Sequence, residues 1–161
     1  AEGVFGPEFD HLALQVSLDE RWLADVGFGD SFVEPLLLDK AGEQVQPSGS
    51  YRIDRDGDAL VLSEREPGGW KAQYRFTLQP RRLEDFSEMC RYHQTSPDSP
   101  FTRKPVCTLA TEDGRVTLSE RRLIRTVRGL APAEETVETD ERYKAALEQF
   151  FRVNLDRVEQ G

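Results

Sequence analysis

The chain has 161 residues, 37% hydrophobic and 32% charged, with a formal net charge of −9 at pH 7. That length and balance support one domain or two small lobes with a real core, and no apolar run approaches the length of a membrane span. The acidic balance argues against general nucleic-acid binding, which needs a basic field.

The N-terminus has neither the basic nor the apolar region of a signal peptide. It reads Ala1-Glu2-Gly3-Val4-Phe5-Gly6-Pro7, a loop, and is taken as the tail of a connection to something upstream. Two cysteines, Cys90 and Cys107, are too few for a disulfide scaffold, so a reduced cytoplasmic protein is expected. With His11 and His93 they form no CxxC or HxxxH pair, and no metal site is expected. The basic pairs Arg81-Arg82, Arg103-Lys104 and Arg121-Arg122 read as solvated surface, although one could meet a phosphate-bearing small molecule.

Residues 11–18 and 21–27 read as two strands of a hairpin turning at Leu18-Asp19-Glu20. Gly27-Phe28-Gly29-Asp30 then breaks the second strand, and glycines there let the backbone approach a ligand. Short strands follow over Pro35–Leu38, Glu43–Gln46, Tyr51–Asp54, Ala59–Glu64 and Trp70–Leu78, separated by Gly-, Asp- and Pro-rich turns. Leu83, Phe86, Met89 and Cys90 then fall at helical spacing, predicting a helix over Arg81–Gln94 with these residues toward a core. Thr95-Ser96-Pro97-Asp98-Ser99-Pro100 reads as a rigid loop carrying Phe101. Strands resume at Thr102–Ala110, Arg115–Ser119 and Arg121–Val127, the first two joined by Glu112-Asp113-Gly114. Gly129–Glu135 reads as loop and Thr136–Glu138 as a short strand. Asp140 reads as the N-cap of a last helix, Glu141–Arg152.

The order predicts an α+β protein, mostly β: an antiparallel β-barrel lobe over residues 1–80, then a small α/β lobe over 81–161. The chemistry-bearing pair is His11 on the first hairpin strand and Asp25 on the second. A carboxylate beside an imidazole selects its tautomer and stabilises the imidazolium formed when it takes a proton. A two-residue turn would set His11 and Asp25 on opposite faces. A three-residue loop, Leu18-Asp19-Glu20, would bring them diagonally together on one face, and that irregularity is predicted. Taken alone, two titratable residues on a hairpin are commonly an ordinary surface His and a turn-capping Asp.

The runs Asp10-His11-Leu12-Ala13-Leu14 and Trp22-Leu23-Ala24-Asp25-Val26-Gly27-Phe28-Gly29 resemble the arylamine N-acetyltransferases. So does Tyr92-His93-Gln94-Thr95-Ser96-Pro97-Asp98-Ser99-Pro100-Phe101, which is similar to that family's S/T-S-P-x-S-x-F loop. Asp113-Gly114-Arg115-Val116-Thr117-Leu118 also fits, and the motifs follow the family's order along nearly the whole chain. The resemblance implies a Cys-His-Asp triad that takes an acetyl group from acetyl-CoA and passes it to an arylamine, hydrazine or N-hydroxyarylamine. It implies that His11 is the base and Asp25 its orienter. Gly27 and Gly29 would lie near the acyl or pantetheine end, and Phe28 and Phe101 would line the acceptor pocket.

The family's nucleophilic Cys lies upstream of the His, in a helical domain with an R-C-G-x-C-type motif, and this chain contains no such motif. The expectation is therefore a protein equivalent to the family's second and third domains, inactive by itself. Cys90 shares a helix face with His93, which makes a local dyad conceivable, but Cys90 and Cys107 both read better as packing residues. His93 reads as a surface or loop-anchoring residue. Two other readings stand beside the enzyme fragment. One is a non-catalytic module that binds a ligand or assembles, with itself or another chain, through the face left by a missing domain. The other is an enzyme split over two polypeptides.

Overall fold

β-Branched and aromatic runs, cut by Gly, Asp and Pro turns, organise most of residues 5–155, the part described by this computed structural model. Contacts divide the chain into two units meeting between Cys90 and Arg91.

The first unit contains two antiparallel sheets. One has the order β1 (Leu14–Ser17), β2 (Arg21–Ala24), β3 (Leu36–Leu37). The other runs β4 (Gln44–Gln46), β5 (Gly49–Asp56), β6 (Ala59–Glu66), β7 (Gly69–Phe76) in sequence order. Both bury their apolar residues in a single core. Leu23 and Leu36 come from one sheet, Tyr51, Ile53, Leu60, Leu62 and Tyr74 from the other, and Phe32 and Leu38 from the connections. Leu36 and Leu62 are fully buried, so truncating either to Ala should cost about 2–5 kcal/mol.

The gap between β3 and β4 is bridged by side chains. The Gln44 amide accepts from the Leu37 N–H at 2.9 Å and donates to the Leu37 carbonyl at 3.0 Å. The Gln46 amide accepts from the Val33 and Glu34 N–H groups and donates to the Glu34 carbonyl. Two glutamines thus imitate a strand ladder, pairing half-buried backbone groups at Leu37 and exposed ones at Val33 and Glu34.

The β6–β7 ladder is regular until Leu62/Ser63, where the register shifts: Ser63 pairs with Ala72 but Leu62 with Tyr74. The extra residue is Gln73. Ser63 and Leu62 face opposite ways, so the bulge turns Tyr74 to the core side while Trp70 and Ala72 stay on the other. On that outer side Arg52 and Arg65 stack on the Trp70 ring.

After β7 the predicted helix begins as a 3₁₀ turn, Leu83–Phe86, and continues as α1, Ser87–Thr95. Its expected core face is not buried. Leu83 is 75% exposed, Cys90 is exposed, and Phe86 and Met89 are half-buried. The spacing correctly indicated a helix, but helical periodicity does not say whether anything covers the apolar stripe.

The second unit holds the order β11 (Ala133–Thr136), β10 (Arg122–Val127), β9 (Gly114–Ser119), β8 (Val106–Thr111), all antiparallel. Its core is Val116, Leu118, Leu123, Val137, Ala146 and Leu147. Ala146 and Leu147 lie on α3 (Asp140–Phe151), which is capped by Thr139, whose side chain accepts from the Arg142 N–H. The cap is thus one residue earlier than expected. Two further expectations are corrected. Phe101 lies in a short helix, α2 (Pro100–Arg103), because Ser99 caps a turn with Pro at its first position. The last strand covers Ala133–Thr136, not Thr136–Glu138, because β10 supplies its pairing partners.

Candidate active site

The hairpin pairs Ser17 with Arg21 and Leu14 with Ala24, leaving the three-residue loop Leu18-Asp19-Glu20. His11 precedes β1 and Asp25 follows β2, so both stand at the open end of the hairpin and not within its ladder. Continuing the register places Ala13 opposite Asp25, which makes His11 its diagonal neighbour on one face. The structure has that contact: His11 Nε2 lies 2.6 Å from Asp25 Oδ2.

Asp25 is almost fully enclosed, its side chain 1% exposed, whereas the His11 side chain is 24% exposed. Gly27 donates its backbone N–H to Asp25 Oδ1 at 2.9 Å, so each carboxylate oxygen has a donor. A Cβ on Gly27 would lie 3.4 Å from His11 Cε1, in ordinary van der Waals contact, so the loop backbone passes close beside the imidazole. Burial pushes the Asp25 carboxyl up, but the hydrogen bonds from His11 and Gly27 and the His11 charge outweigh it, and the carboxyl stays below the usual carboxylate range. Asp25 is therefore ionised at neutral pH. An ionised carboxylate only accepts, so Nε2 carries a proton, and in the neutral imidazole Nδ1 holds the lone pair.

Two rings fix the imidazole from the other side. Phe28 meets it edge-on at 5.2 Å and Tyr74 lies 5.3 Å away, while Phe28 and Tyr74 contact each other at 4.7 Å. Phe28 also packs against the first core, so it serves packing and site at once. The Tyr74 hydroxyl is buried without a hydrogen bond of good geometry. Its interaction with Asp25 is the smallest of those acting on that carboxyl. Burial, followed by the Asp25 charge, raises the Tyr74 phenol far above its ordinary value. Sequence reasoning missed Tyr74. Alternation puts Trp70, Ala72, Tyr74 and Phe76 on one face, and only the bulge at Gln73 separates them.

His11, Phe28 and Tyr74 line a cleft of about 870 Å³ that also takes in Phe9, Arg81 and Phe86. That is a volume suited to a small molecule or a cofactor arm. No cysteine among the described residues lines it. Among the described residues no group of three His, Cys, Asp or Glu side chains gathers into a metal-ligand set.

The remaining candidates lie elsewhere. Gly29 has φ +70° with open space where a Cβ would point, so its glycine serves the turn conformation. Phe101 is 59% exposed in the second unit, its ring edge-on to His93 at 4.9 Å. His93 Nδ1 lies 3.0 Å from the fully buried Ser99 Oγ, which anchors the Thr95–Pro100 loop as expected. Cys107 packs against the second core and burial raises its thiol, the opposite of activation. Cys90 sits on the exposed face of α1 and not in a core.

A family model described as N-acetyltransferase matches residues 1–160. The chain belongs to the arylamine N-acetyltransferase family. It is similar to the chicken (Gallus gallus) arylamine N-acetyltransferase pineal gland isozyme NAT-10, with 29% identity over 97% of this chain and 62% of the relative. Human (Homo sapiens) arylamine N-acetyltransferase 1 is 36% identical over 65% of this chain and 43% of its own length. Among solved structures, a Mycobacterium smegmatis N-arylamine acetyltransferase superposes with TM-score 0.85 and 28% identity, over 98% of this chain and 59% of that one. Mycobacterium marinum arylamine N-acetyltransferase in complex with CoA gives 0.81 and 28%, over 92% and 56%. The chain thus spans about three fifths, or less, of these arylamine N-acetyltransferases. No helix among the described residues is long and apolar enough to cross a membrane.

Proposed function

We propose that this chain supplies the base and its orienting carboxylate to a cysteine acetyltransferase site, acting between acetyl-CoA and an arylamine, hydrazine or N-hydroxyarylamine. The observation that carries the reading is the 2.6 Å contact of His11 Nε2 with an enclosed Asp25, which leaves Nδ1 to accept a proton. His11 takes the proton of a cysteine thiol, and the thiolate attacks the acetyl carbonyl of acetyl-CoA. The CoA thiolate leaves and takes that proton from His11. An amine then attacks the acetyl-cysteine, and its proton passes through His11 to the departing cysteine sulfur. Asp25 keeps the tautomer and stabilises the imidazolium. The relative solved with CoA supports acetyl-CoA as donor. Gly27, Phe28 and Gly29 would border the acyl end and acceptor pocket. The first unit would be the family's β-barrel lobe, its two sheets sharing one core, in a cytoplasmic enzyme that uses no metal.

The thiol comes from outside these 161 residues, either from a further domain of the same protein or from a partner chain. The test is acetyl-CoA-dependent acetylation of an aromatic amine. The chain alone should give no turnover. Adding a helical domain with the cysteine motif should give activity that Asp25→Asn removes by orders of magnitude. Robust turnover by the chain alone, abolished by Cys90→Ala or Cys107→Ala, would overturn this assignment. A second reading, a non-catalytic assembly module, is favoured by exposed apolar side chains such as Leu14, at 56%, and Leu83, at 75%. Concentration-dependent self-association without activity in the complemented mixture would support it.

A further inference from the structure

Phe9 stands two residues before His11 with its backbone in the left-handed region, φ +66°. It occupies the third position of a tight turn closed by the Asp10 N–H donating to the Pro7 carbonyl at 3.3 Å. Turns that need positive φ at that position normally use Gly or Asn, because a Cβ clashes there. A phenylalanine persists in such a conformation only where its surroundings hold it.

Three holding contacts come from the segment after β7. The Phe9 ring meets Phe86 edge-on at 5.3 Å and 83°. The Arg81 guanidinium lies over the same ring, 5.1 Å from its centre. Arg81 Nη2 also donates to Glu8 Oε1 at 2.8 Å, gripping the turn beside Phe9. Gly6 completes the fit, since a Cβ there would lie 2.6 Å from Asp10 Oδ2. The strand ladder with β2 begins only at Leu14. Residues 10–13, which carry His11, therefore run from this clasp to the start of the ladder, with Ala13 packed on the first core.

We propose that Phe9 and Arg81 are positioning residues for His11. The clasp sets the angle at which the chain enters β1, and so keeps the imidazole within 2.6 Å of Asp25. The ring supplies the anchoring contact, and the left-handed turn aims the following residues at the carboxylate. The inference rests on the His11–Asp25 contact and not on acetyl transfer, so the two can fail separately.

The test uses proton NMR of the 161-residue chain. An imidazole N–H held by a carboxylate at this distance resonates downfield of the amides and exchanges slowly with water. The chain has two histidines, and loss of the signal in Asp25→Asn assigns it to His11. Phe9→Ala and Arg81→Met should each speed exchange of that proton by about tenfold or more, by analogy with the loss of function when the outer support of a metal-ligating histidine is removed. Phe9→Tyr, which keeps the ring, should retain the parent signal. Phe9→Gly, which relieves the backbone but removes the ring, should behave like Phe9→Ala. A merely structural clasp would lower thermal stability and leave the exchange rate unchanged, and that result would overturn the proposal. If Phe9→Ala does not fold, Arg81→Met and Phe86→Leu decide the matter, because they loosen the clasp while leaving the turn's own residues in place.

Discussion

Asp25 carries the clearest residue-scale consequence. Its carboxyl titrates below its ordinary range in the folded chain, so folding gains stability from ionised Asp25 above the unfolded value, near pH 4. That contribution is lost as pH falls through the depressed folded value. Unfolding free energy measured from neutral pH into acid should therefore drop, and Asp25→Asn should flatten that part of the drop. Tyr74 makes the opposite case. Its hydroxyl is buried without a good partner, so Tyr74→Phe should leave stability within about 1 kcal/mol of the parent or raise it. Tyr74→Ala should cost about 3–5 kcal/mol through the cavity. Denaturant melts of the two variants separate the ring from the hydroxyl. His11, Asp25 and the Gly-Phe-Gly loop were legible in the sequence because their spacing and family motif lie within one hairpin. Tyr74 was not, because it reaches the site from a strand about fifty residues away, through a bulge that alternation cannot reveal.

At the scale of elements, strand register decides whether the pair exists. Deleting Gln15 while the Ser17–Arg21 pair closes the loop would slide His11 by one position and turn it to the face opposite Asp25. The hairpin should still form, while the His11–Asp25 contact disappears, as read from the downfield imidazole proton. In the second unit Gly114 tests sheet packing. A Cβ there would lie 1.9 Å from the Thr126 carbonyl oxygen, so Gly114→Ala should destabilise that sheet by about 3 kcal/mol or more, measurable by chemical denaturation. Strand existence was readable from periodicity and turn chemistry almost throughout. Helix burial was not: Leu83, Phe86, Met89 and Cys90 satisfy the helical period, yet the period cannot reveal what lies against that face. β11 was misplaced for a related reason. Ala133-Glu134-Glu135-Thr136 has weak β character and is strand only because β10 pairs with it.

For the molecule as a whole, two separate cores imply two separately tunable stabilities. Leu118→Ala should cost about 2–5 kcal/mol in the second unit. Hydrogen exchange should then quicken at the amides of β8, β9 and β10 and leave those of β5 and β6 as they were. Family membership was legible because its motifs recur in order along the chain. The unit boundary between Cys90 and Arg91 was less so, because it falls inside α1, where no change of composition marks it.

The glutamine seam between β3 and β4 has a chemical corollary. Gln44 is 7% exposed and uses its amide both to give and to receive. Hydrolysis of that amide to a carboxylate, as in slow deamidation, would replace its donor with a second acceptor facing the Leu37 carbonyl. Two lone pairs would then oppose each other beside the largely buried Gln44 side chain. Gln44→Glu reproduces the aged state, and its melting temperature gauges how far the join between the two sheets depends on one nitrogen atom.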